Sequence, residues 1–479
     1  MTLIRFRKIS LTLLLALGFA WNPMLYAEEA PPLPPGLEKE RPANTEEPAL
    51  PEGLDTDEGL EEPPLPEGFD DEEEDAKHLP FGLSGFWEAR FGVRMQSDPN
   101  EKEVSIGETR VQLQVEQLVK QAIFKLTNDF LYDPVLDEHE IRLEKGIGFI
   151  DLREASFLVR PVTFVDLKMG RQILTWGTGD LIFINDLFPK DWNAFFIGRD
   201  TEYLKAPSDA LKTSLFSPWA NLDIVYTPRF DADRFIDGRR ISFFNNSFGR
   251  RTGREAVVQT ENRDDWFKDD EIALRLYQNF RGLELALYGY RGFWKSPGGF
   301  DPTSQQATFP RLSVYGGSAR GSIGRGIGHL ELGYYDSEED RSGGDPFIRN
   351  SEFRFLMGYE QEVLQDFTVG LQYYLEQILD YDKFLRNLPA GSPVADEDRH
   401  VITLRLTRFL MSQDLRLSLF TFYSPSDRDA YIRPKIHYKI DDSWSVEIGG
   451  NFFIGDEDHT FFGQFKKNNN VYTGVRVGF

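Results

Sequence analysis

The sequence predicts an all-β fold, a transmembrane antiparallel β-barrel of about 18 strands, with 16 strands as the alternative. Three observations predict this fold: an export signal at the amino terminus, a long series of segments that alternate in polarity, and a last strand that stops on an aromatic residue. We therefore expect a signal peptide at 1–27, a disordered, acidic and proline-rich tail at 28–80, and a barrel at 81–479.

The amino-terminal segment has the parts of a secretory signal. Three basic residues precede an apolar run from Ile9 to about Ala20, and Ala27 offers a small residue for cleavage. This run is shorter than the ~20 residues that a bilayer-spanning helix needs, and no later stretch approaches that length. Any membrane residence is therefore expected to be that of a barrel. The sequence contains no cysteine, which excludes a disulfide scaffold and thiol chemistry.

The segment 28–78 is strongly acidic. It carries 19 Asp or Glu against 3 Lys or Arg, together with ten prolines. A chain of this composition buries too little apolar surface to offset its conformational entropy, so we expect it to be disordered. Similar stretches recur within it: PLPPGL (32–37), ALPEGL (49–54) and PLPEGF (64–69). Two interpretations remain open, a solvated spacer and a set of docking motifs for a periplasmic or efflux partner.

From residue 81 onward the chain is a series of alternating segments of about ten residues. In the first, Trp87 and Phe91 alternate with Glu88 and Arg90, so one face is apolar and the other is charged. Such segments start near residues 83, 104, 121, 149, 165, 210, 221, 270, 283, 311, 327, 352, 367, 399, 415, 430, 444 and 471. Short connections alternate with others that are mostly longer, at 133–148, 176–209, 229–269, 294–310, 337–350 and 378–398. A transmembrane barrel shows this asymmetry because its periplasmic turns are tight and its extracellular loops are long.

A soluble sandwich or propeller is the alternative fold, since alternation within one strand does not distinguish a lipid-facing side from a core-facing side. The signal, the loop asymmetry and the closing strand favour the barrel. Pro434 conflicts with the pattern, because proline does not donate to a sheet ladder and a closed barrel has no edge. We expect a bulge at this residue.

The connection 176–209 is too hydrophobic for a loop exposed to water. Ten large apolar residues lie between positions 181 and 197. We expect this third loop to fold into the lumen and to narrow it. Its polar members are then predicted to line a constriction: Asp180, Asn185, Asp186, Lys190, Asp191, Arg199 and Asp200. The alternative is a loop that packs over the rim or against another protomer.

Charged residues of both signs occupy the polar face of the strands. The predicted pore wall consists of Arg90, Arg94, Arg110, Glu154, Lys168, Arg171, Arg405, Arg433, Lys435 and Lys439. The strand at 430–440 places His437 among the last three of these on one face, at ~7 Å spacing. Such a row provides a ladder along which an anion passes, because each site is weak and neighbouring sites compete. A network of opposed charges that stiffens the wall is the alternative.

A basic cluster lies in one outer loop. It comprises Arg239, Arg240, Arg250, Arg251 and Arg254. Arginine forks bind phosphate and carboxylate bidentately, so we expect an extracellular anion contact here. The phosphorylated core of lipopolysaccharide and an anionic solute or polysaccharide are the two candidate ligands. We expect no nucleic-acid partner, because the location does not suit one.

Residues 152–189, LREASFLVRPVTFVDLKMGRQILTWGTGDLIFINDLFP, resemble the L-R-E-A, G-R-Q and W-G pattern of an uncharacterised outer-membrane barrel family allied to alginate-export porins. The ending FGQFKKNNNVYTGVRVGF, 462–479, shares this resemblance. It implies that Arg153, Glu154, Arg171 and Gln172 point into the lumen beside the loop, and that the protein is a channel or export pore. The terminal Phe479 resembles the signal that the barrel assembly machinery reads.

These features favour an outer-membrane channel of a Gram-negative bacterium that passes small polar or anionic solutes, or an export pore coupled to a partner. The tail is expected in the periplasm, and lipids and lipopolysaccharide are expected around the barrel. A plugged structural or binding barrel is the alternative. A barrel-embedded hydrolase is less favoured, because no G-x-S-x-G or H-E-x-x-H motif occurs. We expect no enzymatic activity, no metal and no cofactor.

Overall fold

The computed structural model describes residues 82–138 and 140–479. The predicted signal peptide and tail lie outside the described residues. Within them, 18 strands form one closed antiparallel sheet, in which each strand pairs with the next barrel strand along the chain and the last pairs with the first. The predicted barrel of about 18 strands is therefore confirmed. The observed first residues of the 18 barrel strands lie within three residues of the predicted segment starts.

The barrel strands are β1 (Leu83–Arg94), β2 (Val104–Val119), β3 (Ala122–Tyr132), β4 (Ile150–Val162), β5 (Val165–Ile173), β6 (Pro207–Leu215), β7 (Asn221–Thr227), β10 (Glu271–Phe280), β11 (Leu283–Phe293), β14 (Arg311–Ile323), β15 (Gly326–Ser337), β16 (Glu352–Leu364), β17 (Phe367–Ile378), β18 (Asp398–Leu410), β19 (Leu415–Ser424), β20 (Asp429–Lys439), β21 (Trp444–Gly455) and β22 (Asn470–Gly478). Short strands in the loops form two hairpins, β8 (Phe243–Asn245) with β9 (Arg250–Thr252), and β12 (Gly299–Asp301) with β13 (Gln306–Thr308). The loops also contain the helices α1 (Trp192–Ile197) and α2 (Tyr381–Asn387), and short 3-10 helices at Leu143–Lys145, Thr201–Leu204, Arg254–Ala256, Glu338–Asp340 and Gly463–Asn468.

The connections differ between the two ends of the barrel. At one end, which we call the turn end, every connection has two to five residues. At the other, the loop end, all but one have nine or more, and the exception is 425–428. The third connection at the loop end, 174–206, is called the inward loop below. The predicted alternation of tight turns and longer loops is thus present.

Alternation along each strand separates two environments. On β1, Glu88 and Arg90 are 2% and 5% exposed, whereas Phe91 is 53% exposed. Large apolar side chains cover the outside of the other strands in the same way, as at Leu287, Met357 and Ile448. A closed sheet satisfies all its ladder hydrogen bonds, and with an apolar exterior it spans a bilayer.

Among the described residues, no helix has the length and apolar character needed to cross a membrane.

The seam of the barrel includes the last residue of the chain. The N–H of Phe479 donates to the carbonyl oxygen of Gly85 at 2.9 Å, and the Gly85 N–H donates back to the Phe479 oxygen at 3.0 Å. Phe479 therefore extends the pairing of β22 with β1. Its role as an assembly signal stays a prediction.

Pro434 interrupts one ladder without a change of register. On β20, Ile432 pairs with Phe452 and Lys435 pairs with Gly449, while the two residues between them have no partner on β21. The two pairs belong to the same register, so the strands resume the same alignment beyond the gap. The expected bulge is absent from this pair, and a local gap accommodates the missing N–H instead.

Candidate functional site

The inward loop lies inside the barrel and contacts its wall around the circumference. Its hydrogen bonds and ring contacts reach nine wall residues on nine strands: Arg90, Glu108, Arg153, Tyr288, Glu331, Gln372, Arg405, Tyr431 and Asn470. The prediction of an inward-folded third loop is confirmed. The lumen is therefore narrowed at the level of this loop.

The first anchor of the inward loop is a buried carboxylate on β15. Glu331 accepts hydrogen bonds from the backbone N–H of Gly179 at 2.8 Å, from the Thr178 hydroxyl at 2.9 Å and from the Asn185 side-chain amide at 3.0 Å. Hydrogen bonds to a charged acceptor are stronger than those between neutral groups. Glu331 therefore fixes the loop where it first crosses the lumen.

A second anchor lies at Asp180. Its carboxylate is 3.1 Å from Arg405 of β18. Its backbone N–H donates to the Gln372 side chain at 2.8 Å, and the Gln372 amide donates to the Asp180 carbonyl at 2.9 Å. The side chain and the backbone of one loop residue are thus both held by the wall.

The helix α1 forms a third, aromatic anchor. Asp191 caps its amino terminus by accepting from the Ala194 N–H at 2.7 Å, and Gly198 ends it with a φ of 89°. The ring of Phe196 then lies 5.3 Å from that of Tyr431 and 5.2 Å from that of Phe453. Rings at these distances contribute beyond the area that they bury.

The other predicted constriction residues are buried among protein atoms. Asn185, Asp186, Lys190, Asp191 and Arg199 are each at most 7% exposed. Lys190 pairs with Asp186 at 2.9 Å, and Arg199 pairs with Glu108 of β2 at 2.5 Å. These contacts hold the loop in place, and a role in constricting a solute path stays a prediction.

The more exposed acids of the loop follow α1. Asp200 and Glu202 keep 27% and 37% of their side chains exposed, and Arg476 of β22 lies 3.5 Å and 3.1 Å from them. Burial raises the pKa of Asp200, but the positive charges of Lys435, Arg476 and Arg90 outweigh it and hold that pKa well below its usual range. Asp200 is therefore an anion that faces a cationic wall.

Most predicted wall residues lie on the lumenal face. Arg90 pairs with Glu88 and Glu447 at 2.7 and 2.8 Å. Arg110 pairs with Glu108 at 2.6 Å. The guanidinium of Arg110 also lies over a ring of the inward loop, that of Tyr203, at 4.0 Å. These arginines connect wall and loop.

On the neighbouring strands β3, β4 and β5, Glu154 pairs with Lys168 at 2.9 Å and with Lys125 at 3.5 Å. Arg153 also points inward and donates to the Lys205 carbonyl at 3.0 Å. Two adjacent residues face the lumen because the pairing of β3 with β4 shifts at this point, as a β-bulge does.

The prediction for Arg171 is wrong. On β5, residues three apart face opposite sides, so Arg171 is out of phase with the lumenal Lys168. It lies opposite Asp209 in register, and its guanidinium donates to the carbonyl oxygens of Leu143 and Leu152 at 3.1 and 2.7 Å. Arg171 thus ties the second loop to the strand.

Arg94 lies at the loop end of the lumen. It donates to the backbone carbonyls of Lys102 and Arg240, and its guanidinium is 4.0 Å from Glu101. It therefore holds neighbouring loops at the rim.

The predicted ladder on β20 is only partly paired with acids. Lys435 lies 2.9 Å from Glu447 and 3.8 Å from Asp200. Arg433 instead stacks on the ring of Phe195 at 4.1 Å. Lys439, at the turn end, has the exposed Asp442 at 4.0 Å. Lys435 thus fits the alternative of a network of opposed charges. Arg433, which has no acidic partner among the described residues, fits the alternative of an anion ladder.

Each arginine of the basic outer cluster has an acidic partner. The pairs are Arg239 with Glu138 and Asp237, Arg240 with Asp133, Arg250 with Glu255, Arg251 with Asp458, and Arg254 with Asp137. Several of these acids belong to the second and ninth loops, so the cluster ties loops together. An anion contact here stays a prediction.

Sequence reasoning missed two kinds of residue at this site. Glu331 and Glu202 contact partners more than 100 residues away, and only the fold brings these together. The aromatic wall residues Tyr431 and Phe453 had a signal, because they interrupt the charged face of their strands near the loop end. Among the described residues, no cluster of His, Asp or Glu is arranged to hold a metal ion.

A closed barrel of this strand number, with tight turns at one end and a loop folded inside, is the architecture of bacterial outer-membrane porins. No protein-family model and no curated protein sequence matches this chain. Among solved structures, OccD3 (OpdP) of Pseudomonas aeruginosa is similar with a TM-score of 0.48 and 11% identity over 85% of this chain and 93% of that one. OccAB3 of Acinetobacter baumannii is similar with a TM-score of 0.48 and 11% identity over 83% of this chain and 98% of that one.

A triple mutant of the Rhodopseudomonas blastica porin gives a TM-score of 0.36 and 11% identity over 83% of this chain and 99% of that one. Because these TM-scores are all below 0.5, the fold is assigned from the strand pairing of this chain and not from the similarity.

Proposed function

We propose that the protein is an outer-membrane channel that passes small polar or anionic solutes. The observation that carries this proposal is the charged, solvent-exposed lumen between the inward loop and the turn end. There Lys125, Lys168 and Lys439 keep about a third of their side chains exposed. An 18-stranded barrel is wide enough for an aqueous lumen, and the inward loop restricts it to small solutes. The proposal places the turn end and the tail in the periplasm.

Anion preference follows from residues on β19 and β20. Within the described part of the chain, Arg416 and Arg433 have no carboxylate within 4.0 Å, whereas Lys435 shares Glu447 with Arg90. Positive charge is therefore in excess along this side of the lumen. Rings of cationic side chains select anions in pores.

A plugged barrel is the second candidate. The contacts of the inward loop with nine strands favour it, because a loop held on all sides leaves little open section. In that case the acidic tail, 28–78, recruits a periplasmic or efflux partner, and the barrel itself conducts nothing.

Reversal potentials in planar bilayers under a salt gradient test the channel proposal. We expect anion selectivity for the wild type and a shift toward zero for the double variant Arg416→Gln/Arg433→Gln. Arg291→Gln is the matched control, because this arginine is on the outside of β11 with 68% of its side chain exposed. An equal shift in the control, or no selectivity in the wild type, contradicts the proposal.

A further inference from the structure

A row of basic side chains faces the lumen on β19 and β20. The basic stripe, as we call it, consists of Arg416, Arg433, Lys435, His437 and Lys439. The register places Arg416 opposite His437 and Ser418 opposite Lys435. The stripe therefore occupies adjoining positions on two paired strands and runs to the turn end at Lys439.

The acids that face the basic stripe are already shared with other cations. Glu447 lies 2.8 Å from Arg90 as well as 2.9 Å from Lys435. Asp200 is 3.5 Å from Arg476, and Asp442 is a fully exposed turn residue. Arg416 and Arg433 have no carboxylate partner in the described part of the chain. The stripe thus retains capacity for an additional anion.

The sequence carries a run of matching anions shortly before β1. Residues 70–75 read DDEEED, six consecutive carboxylates. Only seven residues, 76–82, separate this run from the start of β1 at Leu83. Like the end of β20, the start of β1 is at the turn end of the barrel.

The linker is long enough for the run to reach the stripe. Around the seam the strand order is β1, β22, β21, β20, so three inter-strand spacings separate β1 from β20. At ~4.8 Å per spacing this is ~15 Å. Seven residues span up to ~25 Å when extended. The acidic run can therefore enter the lumen beside its own first strand.

We propose that residues 70–75 bind the basic stripe from the turn end, so that the chain partly occupies its own lumen and anionic solutes compete with it. The effect on transport rests on the proposed function, whereas the binding itself does not. The contact is electrostatic between solvated groups, so salt screens it over a Debye length of ~3 Å at 1 M against ~10 Å at 0.1 M.

Disulfide mapping tests the binding directly, because the chain has no cysteine of its own. The test pair is Glu73→Cys with Ser418→Cys, which lies between two members of the stripe. The control pair is Glu73→Cys with Ser214→Cys, a lumenal serine of β6, five strands from β1 in the other direction. We expect an oxidised cross-link in the test pair at 0.1 M salt, roughly ten-fold above the control and lost at 1 M salt.

Equal cross-linking in the two pairs, or none in the test pair, overturns the binding. Full-length protein in native membranes or bilayers is the material for both pairs. A second variant avoids cysteine altogether: replacement of 70–75 by Asn and Gln is expected to raise anion conductance roughly two-fold at 0.1 M salt and to leave it unchanged at 1 M.

The two failures are distinguishable. Anion-selective conductance without the specific cross-link overturns the binding and leaves the channel in place. A specific cross-link in a protein that conducts in none of its variants overturns the channel and supports the binding.

Discussion

Glu331 of β15 and Gly179 of the inward loop are joined by a 2.8 Å hydrogen bond between the carboxylate and the backbone N–H. Glu331 is 1% exposed, and no basic residue in the described chain lies within ion-pair distance of it. Its charge is compensated by donors of the loop alone, including the side chain of Asn185. The wall therefore supplies the anion and the loop supplies the hydrogen bonds, so each fixes the other.

Replacing Glu331 with Gln is expected to loosen the inward loop. The substitution removes the charge and turns one acceptor into a donor that faces other donors, at a cost of about 1.5–3 kcal/mol for each charge-assisted bond lost. Amide hydrogen exchange of residues 178–186 should accelerate. Glu116→Gln, at an exposed lumenal position of β2, is the control, and equal acceleration in both variants contradicts the anchor.

Phe196→Ala is expected to destabilise the barrel interior by about 3–5 kcal/mol. The ring is 4% exposed and contacts four other rings, so its removal leaves a cavity that the rigid wall does not fill. Urea unfolding in detergent measures the loss. Phe248→Ala, at a loop ring that is 58% exposed, should change the free energy of unfolding by much less. A similar loss of unfolding free energy in both variants would contradict the aromatic anchor at Phe196.

Arg240→Gln is expected to lower the free energy of unfolding by about 3–5 kcal/mol, because it leaves Asp133 buried without its cation. Burial raises the pKa of Asp133, but Arg240 outweighs this and holds that pKa below its usual range. Arg250→Gln removes an exposed pair with Glu255 and should cost about 1 kcal/mol or less. The comparison is made by urea unfolding at pH 7. A larger effect at the exposed arginine argues against the assignment of the buried pair.

The folded conformation of the first loop, residues 95–103, is expected to become less stable as pH rises. Burial raises the pKa of Glu101 to about 8, and Arg94 opposes this only in part. The folded state then binds more protons than the unfolded state between about pH 4.5 and pH 8, so the stabilising contribution is present at low pH and is lost as pH rises through 8. Hydrogen exchange of residues 95–103, corrected for intrinsic rates, should show lower protection at pH 9 than at pH 5.

The variant Glu101→Gln removes the titrating group and should make the protection of 95–103 independent of pH. A wild type whose protection rises with pH contradicts the assignment.

The barrel could be predicted from the sequence because lipid and water impose a strict period of two on every strand. The inward loop could be predicted because rings such as Phe195 and Phe196 are too apolar for an exposed loop. The face of the sheet on which Arg171 lies could not be predicted. A motif gives the residue types but does not show which residues of the strand face the lumen.

The partners of the site residues also required the fold. Arg240 and Asp133 are more than 100 positions apart, as are Glu331 and Gly179. The sequence therefore showed a surplus of arginine in the outer loop but not the acids of neighbouring loops that balance it.

Single-channel conductance of the purified protein tests the central claim most directly, which is that water fills a closed cylinder narrowed by the inward loop. The account predicts discrete ohmic steps for the wild type and larger steps after deletion of residues 180–198. An absence of steps both with and without these residues, or steps of unchanged size after the deletion, would contradict it.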